Sequence, residues 1–264
     1  MWPARFCFLV VDKMDVNPAY IDNSDVTLSE SDGIRYLHFG TQWIQGAMRI
    51  SRPHDLVLDY TQQMMTWLLF QEPAKEDEIA ILGLGAGSLL RYCMKHTSSP
   101  IHTVEINPRV TAMCRSFFRL PENKRSHLYH QDAEQWVQEA QHISRYKVLM
   151  VDLYDAYAEG PVCSSLDFYQ GCYDCLDEAG LMTVNLFGAH HSYDENIDRI
   201  MEVFQGQALV LPEIEEGNII VLAFKGNDLA QTTTIQLLEK AQQVQERYKL
   251  PARRWAKAIL AEQP

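Results

Sequence analysis

DEIAILGLGAGSLLR, residues 77–91, passes from a short apolar run through a glycine turn into a helical pattern. Ile79 to Leu82 has the length and composition of an interior strand. Gly83, Leu84, Gly85, Ala86 and Gly87 turn the chain, and a helix is predicted from Ser88. Such a turn presents backbone N–H groups and a helix N-terminus to a ligand, and its glycines allow close approach. Tight packing alone can also require glycines there. The next predicted strand, Ile101 to Glu105, ends in an acidic residue 22 positions after Gly83, where Rossmann-like sites hold a ribose hydroxyl pair. Loop and carboxylate together point to a nucleoside ligand.

Beyond this stretch strands and helices alternate: helix Ser88–Lys95, helix Pro108–Phe118, strand His127–His130, helix Ala133–Glu139, strand Val148–Val151, helix Phe168–Leu176, strand Leu181–Leu186 and helix Tyr193–Phe204. The pattern predicts an α/β fold, a Rossmann-like parallel sheet with helices on both faces. Ala208–Ile214 and Asn218–Phe224 suit an antiparallel hairpin at the sheet edge, and Pro251 separates helical patterns over Thr232–Tyr248 and Arg253–Ala261. On the N-terminal side, Tyr60–Phe70 reads as a lead-in helix. Ile34–Phe39 and Trp43–Ile50 read as strands of a small β region, on which Gln42 and Gln45 are read as solvent-facing. Polar Pro73–Asp77 sets the expected boundary between an N-terminal β region with its lead-in helix, 1–72, and a catalytic domain, 73–264.

The chain has 264 residues, 47% of them hydrophobic and 22% charged, which is enough for a sizeable core. No apolar run reaches the ~18 residues of a membrane span. Phe6 to Val11 is too short for a signal sequence, so a cytoplasmic protein without a membrane partner is expected. A formal net charge of −12 argues against a nucleic-acid partner and suits a small cationic substrate. Six cysteines in a chain of this length do not make a disulfide scaffold. Cys172 and Cys175 have redox or metal spacing but lie in a helical pattern without a second Cys/His pair, so packing is expected and no metal site.

Ligands of open α/β sheets bind at the carboxyl ends of the strands. Here those ends carry Gly83, Gly85, Gly87, Glu105, Asp132 with Ala133, and the pair Asp152/Asp155. Asp132 reads equally as a helix N-cap or as an acceptor for an exocyclic adenine amine, with Ala133 leaving room for the ring. Asp152 and Asp155 can hold an alkylammonium and take a proton from it, although structural carboxylates at strand ends are common.

Several segments resemble the polyamine aminopropyltransferases, spermidine synthase and its relatives: QQMMTWLLF before the glycine loop, HTVEINP around Glu105, HQDAEQWV around Asp132, VDLYD at Asp152 and LDFYQGCYDCLDEAGLMTVN after it. The similarity runs from about Gln45 to Lys225. It implies a small N-terminal β domain before a Rossmann-like domain similar to S-adenosylmethionine-dependent methyltransferases, commonly as a homodimer. It also implies transfer of an aminopropyl group from decarboxylated S-adenosylmethionine, a co-substrate rather than a tightly bound cofactor, to a small amine such as putrescine. By position, Glu105 would bind ribose, Asp132 the adenine amine and Gln45 the nucleoside side of the donor. Asp152 would be the catalytic base, and Asp155 would hold the amine.

The sequence departs from the family pattern in places. Its glycine loop usually reads GGGDGG, with the Asp holding the donor's ammonium, and the matching residue is Ala86. Asp155 is followed by Ala156 rather than Pro. The amine pocket falls around Tyr60, Thr61, Gln62 and Gln63, with the register uncertain by one and no carboxylate, and a second glutamine segment is missing. Ala86 implies weak discrimination against intact S-adenosylmethionine, or a preference for it. Two rival expectations therefore stand beside aminopropyl transfer: a methyltransferase using the intact donor, and a nucleoside-binding protein without catalysis.

Overall fold

The computed structural model describes residues 9–10, 25–155, 162–215, 217–226 and 232–262. Most of the apolar run Phe6 to Val11, together with Cys7 and Ala156, lies outside the described residues.

Strands β1 (Leu9–Val10), β2 (Val26–Ser31), β3 (Ile34–Phe39) and β4 (Gly46–Arg49) form an antiparallel sheet in that order. Asp32 and Gly33, both at positive φ, make the two-residue turn that pairs Ser31 with Ile34. The strand expected from Trp43 begins only at Gly46, so Gln42 to Gln45 remain a loop. Asp59–Gln63 is helical (α1), and Met64–Leu69 tightens into a 3-10 segment rather than continuing one helix to Phe70. In that segment the Thr66 hydroxyl donates to the Gln63 carbonyl. All six of its side chains are buried.

The second sheet contains β5 (Glu78–Leu82), β6 (Ile101–Val104), β7 (Ser126–Tyr129), β8 (Tyr146–Val151), β9 (Leu176–Phe187), β10 (Ala208–Val210) and β11 (Asn218–Phe224). Its order is β10-β11-β9-β8-β5-β6-β7. The strands β5 to β9 run parallel, whereas β11 pairs antiparallel with β9, and β10 with β11. The helices are α2 (Ser88–His96), α3 (Pro108–Phe117), α4 (Ala133–Trp136), α5 (Leu166–Cys175), α6 (Tyr193–Val203), α7 (Thr234–Tyr248) and α8 (Ala252–Glu262).

Alternate residues of the central strands feed opposite faces, as the pleat requires. Ile79, Ile81, Val148 and Met150 pack with Trp67, Leu89, Val110 and Trp255, while Ala80, Leu82, Leu149 and Val151 pack with Trp136, Phe168, Ile200 and Phe204. Local chemistry starts the helices: Asn107 caps α3 by accepting from Arg109 N at 3.0 Å with Pro108 at its first position, and Thr233 and Gln236 form a capping box on α7.

Element limits differ from expectation where tertiary pairing intervenes. The strand expected from Leu181 starts at Leu176, where a register irregularity against β8 lets Tyr146 pair with Leu176 and Val148 with Leu181. Helix α4 stops at Trp136, followed by a 3-10 turn over Ala140–His142. The strand expected over Ala208–Ile214 ends at Val210, shortly before Pro212, which has no N–H for the ladder. Cys172 and Cys175 are buried free thiols in the helix core, as packing predicts.

Candidate functional site

Strand order reverses at β5, which has β6 on one side and β8 on the other. Loops leaving such neighbours diverge and open a crevice at their carboxyl ends. A cavity of about 810 Å³ lies there, within the range of small-molecule sites, and its lining includes Gly83, Gly85, Glu105, Asp132, Ala133, Asp152 and Gln45. Gly83 has φ +96°, and a Cβ there would lie 2.1 Å from the Asp152 carbonyl oxygen. The turn can leave β5 beside β8 only without a side chain. Gly85, at φ +49°, would place a Cβ 2.9 Å from the Gln45 carbonyl, so its bare backbone lets the β3–β4 loop close over the turn.

Glu105 follows β6 and is only 8% exposed. Its Oε2 accepts from Leu84 N at 3.1 Å and its Oε1 from Asn107 N at 2.8 Å, so the glycine loop itself orients the carboxylate. Burial pushes its pKa up to about 7, against the pull of the backbone N–H groups. Asp132 caps α4 by accepting from Glu134 N at 2.8 Å and also lines the cavity, so the geometry accommodates both readings of this residue. Gln45 sits on the loop above and donates from Nε2 to the Asp155 carbonyl at 2.9 Å.

Asp152 follows β8. Its Oδ1 accepts from Asn185 Nδ2 at 2.9 Å, and its Oδ2 lies 3.4 Å from the Tyr60 hydroxyl, a long hydrogen bond. Burial raises its pKa to about 6 despite both donors. The Tyr60 hydroxyl is held well above its ordinary range by burial and by the Asp152 charge. Behind Asn185, Asn218 Nδ2 donates to Asn185 Oδ1 at 2.9 Å, and the Tyr154 hydroxyl donates to the Asn185 carbonyl at 3.2 Å.

The expected residues divide by position. Gly83, Gly85, Gln45, Glu105, Asp132, Ala133 and Asp152 converge on the cavity. Gly87 stands behind it as the left-handed N-cap of α2. Asp155 meets Gln45 through its carbonyl and is not among the lining residues. Ala86 is 2% exposed and outside the lining, packed so closely on Gly46 that a Cβ on that glycine would lie 2.6 Å from its own. Of the lead-in segment's candidates, Tyr60 lines the cavity, whereas Thr61 and Gln63 are buried and bond the carbonyls of Leu58 and Pro212.

Sequence reasoning did not single out Tyr154, Asn185, Phe187, His190 or Asn218, which also line the cavity. The signal for Asn185 was a polar residue inside the apolar run MTVNLF, since a buried amide needs partners. Nothing local marked Asn218. It opens β11, whose antiparallel course brings it back to the carboxyl edge, opposite Phe187.

The family model for the spermine/spermidine synthase domain matches residues 58–234. A polyamine aminopropyltransferase of Neisseria meningitidis is 30% identical over 251 residues, spanning 94% of each chain, and one of Chromobacterium violaceum is 32% identical over 212 residues, 80% of each. A solved spermidine synthase in complex with the transition state analogue AdoDATO superposes with TM-score 0.69 at 19% identity, over 92% of this chain and 83% of that one. With the fold, the switch-point cavity and these likenesses in place, the chain belongs to the spermine/spermidine synthase family of polyamine aminopropyltransferases.

Proposed function

We propose that this transferase moves an aminopropyl group from decarboxylated S-adenosylmethionine to a small cationic amine, releasing methylthioadenosine. The observation that carries this reading is Asp152, a carboxylate fixed in the cavity wall beside Tyr60, in a cavity that Glu105 also lines. Glu105 accepts the ribose hydroxyls, Asp132 the adenine amine beside Ala133, and Gln45 covers the nucleoside. The amine nitrogen forms a bond to the methylene next to the sulfonium, the carbon–sulfur bond breaks with its electron pair moving to sulfur, and a proton leaves the nitrogen for Asp152. Bond exchange of this kind needs orientation and a base near the working pH, which a carboxyl raised to about 6 supplies.

Family membership favours this reaction over methyl transfer from the intact donor and over binding without turnover. The test is product mass after incubation with putrescine and either donor. Aminopropylated amine and methylthioadenosine from the decarboxylated donor are expected. A methylated product, or nucleoside binding with no product, overturns the reading.

A further inference from the structure

We propose that Asn218 and Asn185 form a positioning relay that holds the Asn185 amide with Nδ2 on Asp152 Oδ1, leaving Oδ2 as the oxygen that takes the proton. The inference rests on Asp152 being the base and adds how its basic oxygen is selected. Each bond has one polarity. The Tyr154 hydroxyl gives its proton to the Asn185 backbone carbonyl and so accepts from the Asn218 amide, which fixes Asn218 as a donor; its Nδ2 also donates to Asn185 Oδ1 at 2.9 Å. The Asn185 NH₂ is thereby turned to Asp152, and a flipped amide would set oxygen against carboxylate and nitrogen against nitrogen. Asn185 is 1% exposed, and its backbone carbonyl accepts from the Tyr154 hydroxyl, which holds the residue in place.

An amide NH₂ only donates. Oδ1 must therefore remain an acceptor before and after proton transfer, and the proton belongs on Oδ2, which points to Tyr60. The relay joins strands that reach this edge in opposite directions, β9 by its carboxyl end and β11 by its start.

The groups facing Asp152 are Tyr60 from α1, Tyr154 from the segment after β8, Asn185 from β9 and the Gly83 backbone after β5. His190, hydrogen-bonded to Ser192, and Glu105 lie elsewhere in the lining. Burial keeps both tyrosines protonated where Asp152 titrates, so they do not carry the pH response. The Asn185 donor favours the ionised carboxylate, and its removal shifts titration upward.

The experiment measures kcat and kcat/KM against pH, with methylthioadenosine affinity and melting temperature, for Asn185→Leu, Asn218→Ala, Asn218→Asp and Asp152→Asn. Expected for Asn185→Leu are an acid limb moved to higher pH and a rate at pH 7 lower by about tenfold or more, with nucleoside affinity kept. Asn218→Ala, which does not touch Asp152, moves the limb the same way but less. Asn218→Asp offers an acceptor of the same shape and approaches the loss of Asn185→Leu. A lowered melting temperature with the acid limb unmoved in the Asn185 and Asn218 variants makes the amides packing only and overturns the relay. Turnover retained by Asp152→Asn overturns the base assignment and the relay with it, so the two failures are told apart.

Discussion

At the scale of single residues the cavity keeps two carboxyl groups close to neutrality. Glu105 sits near 7 because burial outweighs its backbone donors, and Asp152 near 6 because burial outweighs the side-chain donors Asn185 and Tyr60. A ribose that donates two hydroxyls to Glu105 favours the ionised form. Methylthioadenosine affinity should therefore fall as pH drops below about 7, because binding must then expel a proton. Glu105→Ala should weaken binding by roughly tenfold or more, from charge-assisted bonds of ~1.5–3 kcal/mol, as read by titration calorimetry. Unchanged affinity in the folded variant would assign the nucleoside to other groups. For Asp152→Asn, turnover should drop by ~10²–10⁴ while nucleoside affinity holds, and the wild-type acid limb of kcat at saturating donor, where Glu105 is already held ionised, should lie near the pKa of about 6. Retention of most activity would move the base elsewhere.

The glycine turn shows what an element can and cannot absorb. Arg91 of α2, fully buried, donates to the carbonyls of Pro53, Ala86 and Phe118, tying the turn to the chain after β4 and to the end of α3. Ala86 faces Gly46 of β4 rather than the cavity. A carboxylate introduced there meets backbone in a dry contact, where an uncompensated charge costs several kcal/mol. Ala86→Asp should consequently lower the melting temperature by roughly 2–4 °C per kcal/mol of destabilisation, with no gain in preference for the decarboxylated donor. A stable variant that gains such preference would show that the side chain swings into the cavity. The same turn explains why the strand expected from Trp43 is short: Gln42 to Gln45 are drawn over the cavity, and pairing resumes at Gly46.

Across the whole molecule, the amino ends of the parallel strands carry a different charge cluster. His102 on β6 places Nε2 2.5 Å from Glu78 Oε2, and Arg145 takes the same oxygen with Nε at 3.0 Å and Nη2 at 2.9 Å. His102 Nδ1 meets the Tyr129 hydroxyl at 2.9 Å. Burial lowers the His102 pKa to about 4, Glu78 opposing and Arg145 assisting. An unfolded histidine titrates near 6.5. The folded state thus binds fewer protons between those values, and the stability His102 contributes is complete above about 6.5 and lost as pH falls towards 4. Denaturation midpoints across that window should show a slope of up to ~1.4 kcal/mol per pH unit from this group, flattened in His102→Gln. Equal slopes in both proteins would place the acid sensitivity elsewhere.

The sequence by itself determined the layered α/β architecture, because apolar runs separated by helical patterns have one economical packing, helices over both faces of a parallel sheet. It also marked Gly83, Glu105, Asp132 and Asp152, because each lies at a strand's carboxyl end and the fold class sends those ends to one edge. Only tertiary structure decided what depends on neighbours distant in the chain. The antiparallel course of β11 delivered Asn218 to Asn185, the packing of β4 turned Ala86 away from the ligand space, and Tyr60 rather than Thr61 or Gln63 reached Asp152. Local pattern records which residues can form a strand or helix. Which side chain meets which depends on register and direction, and these are fixed only when the sheets close.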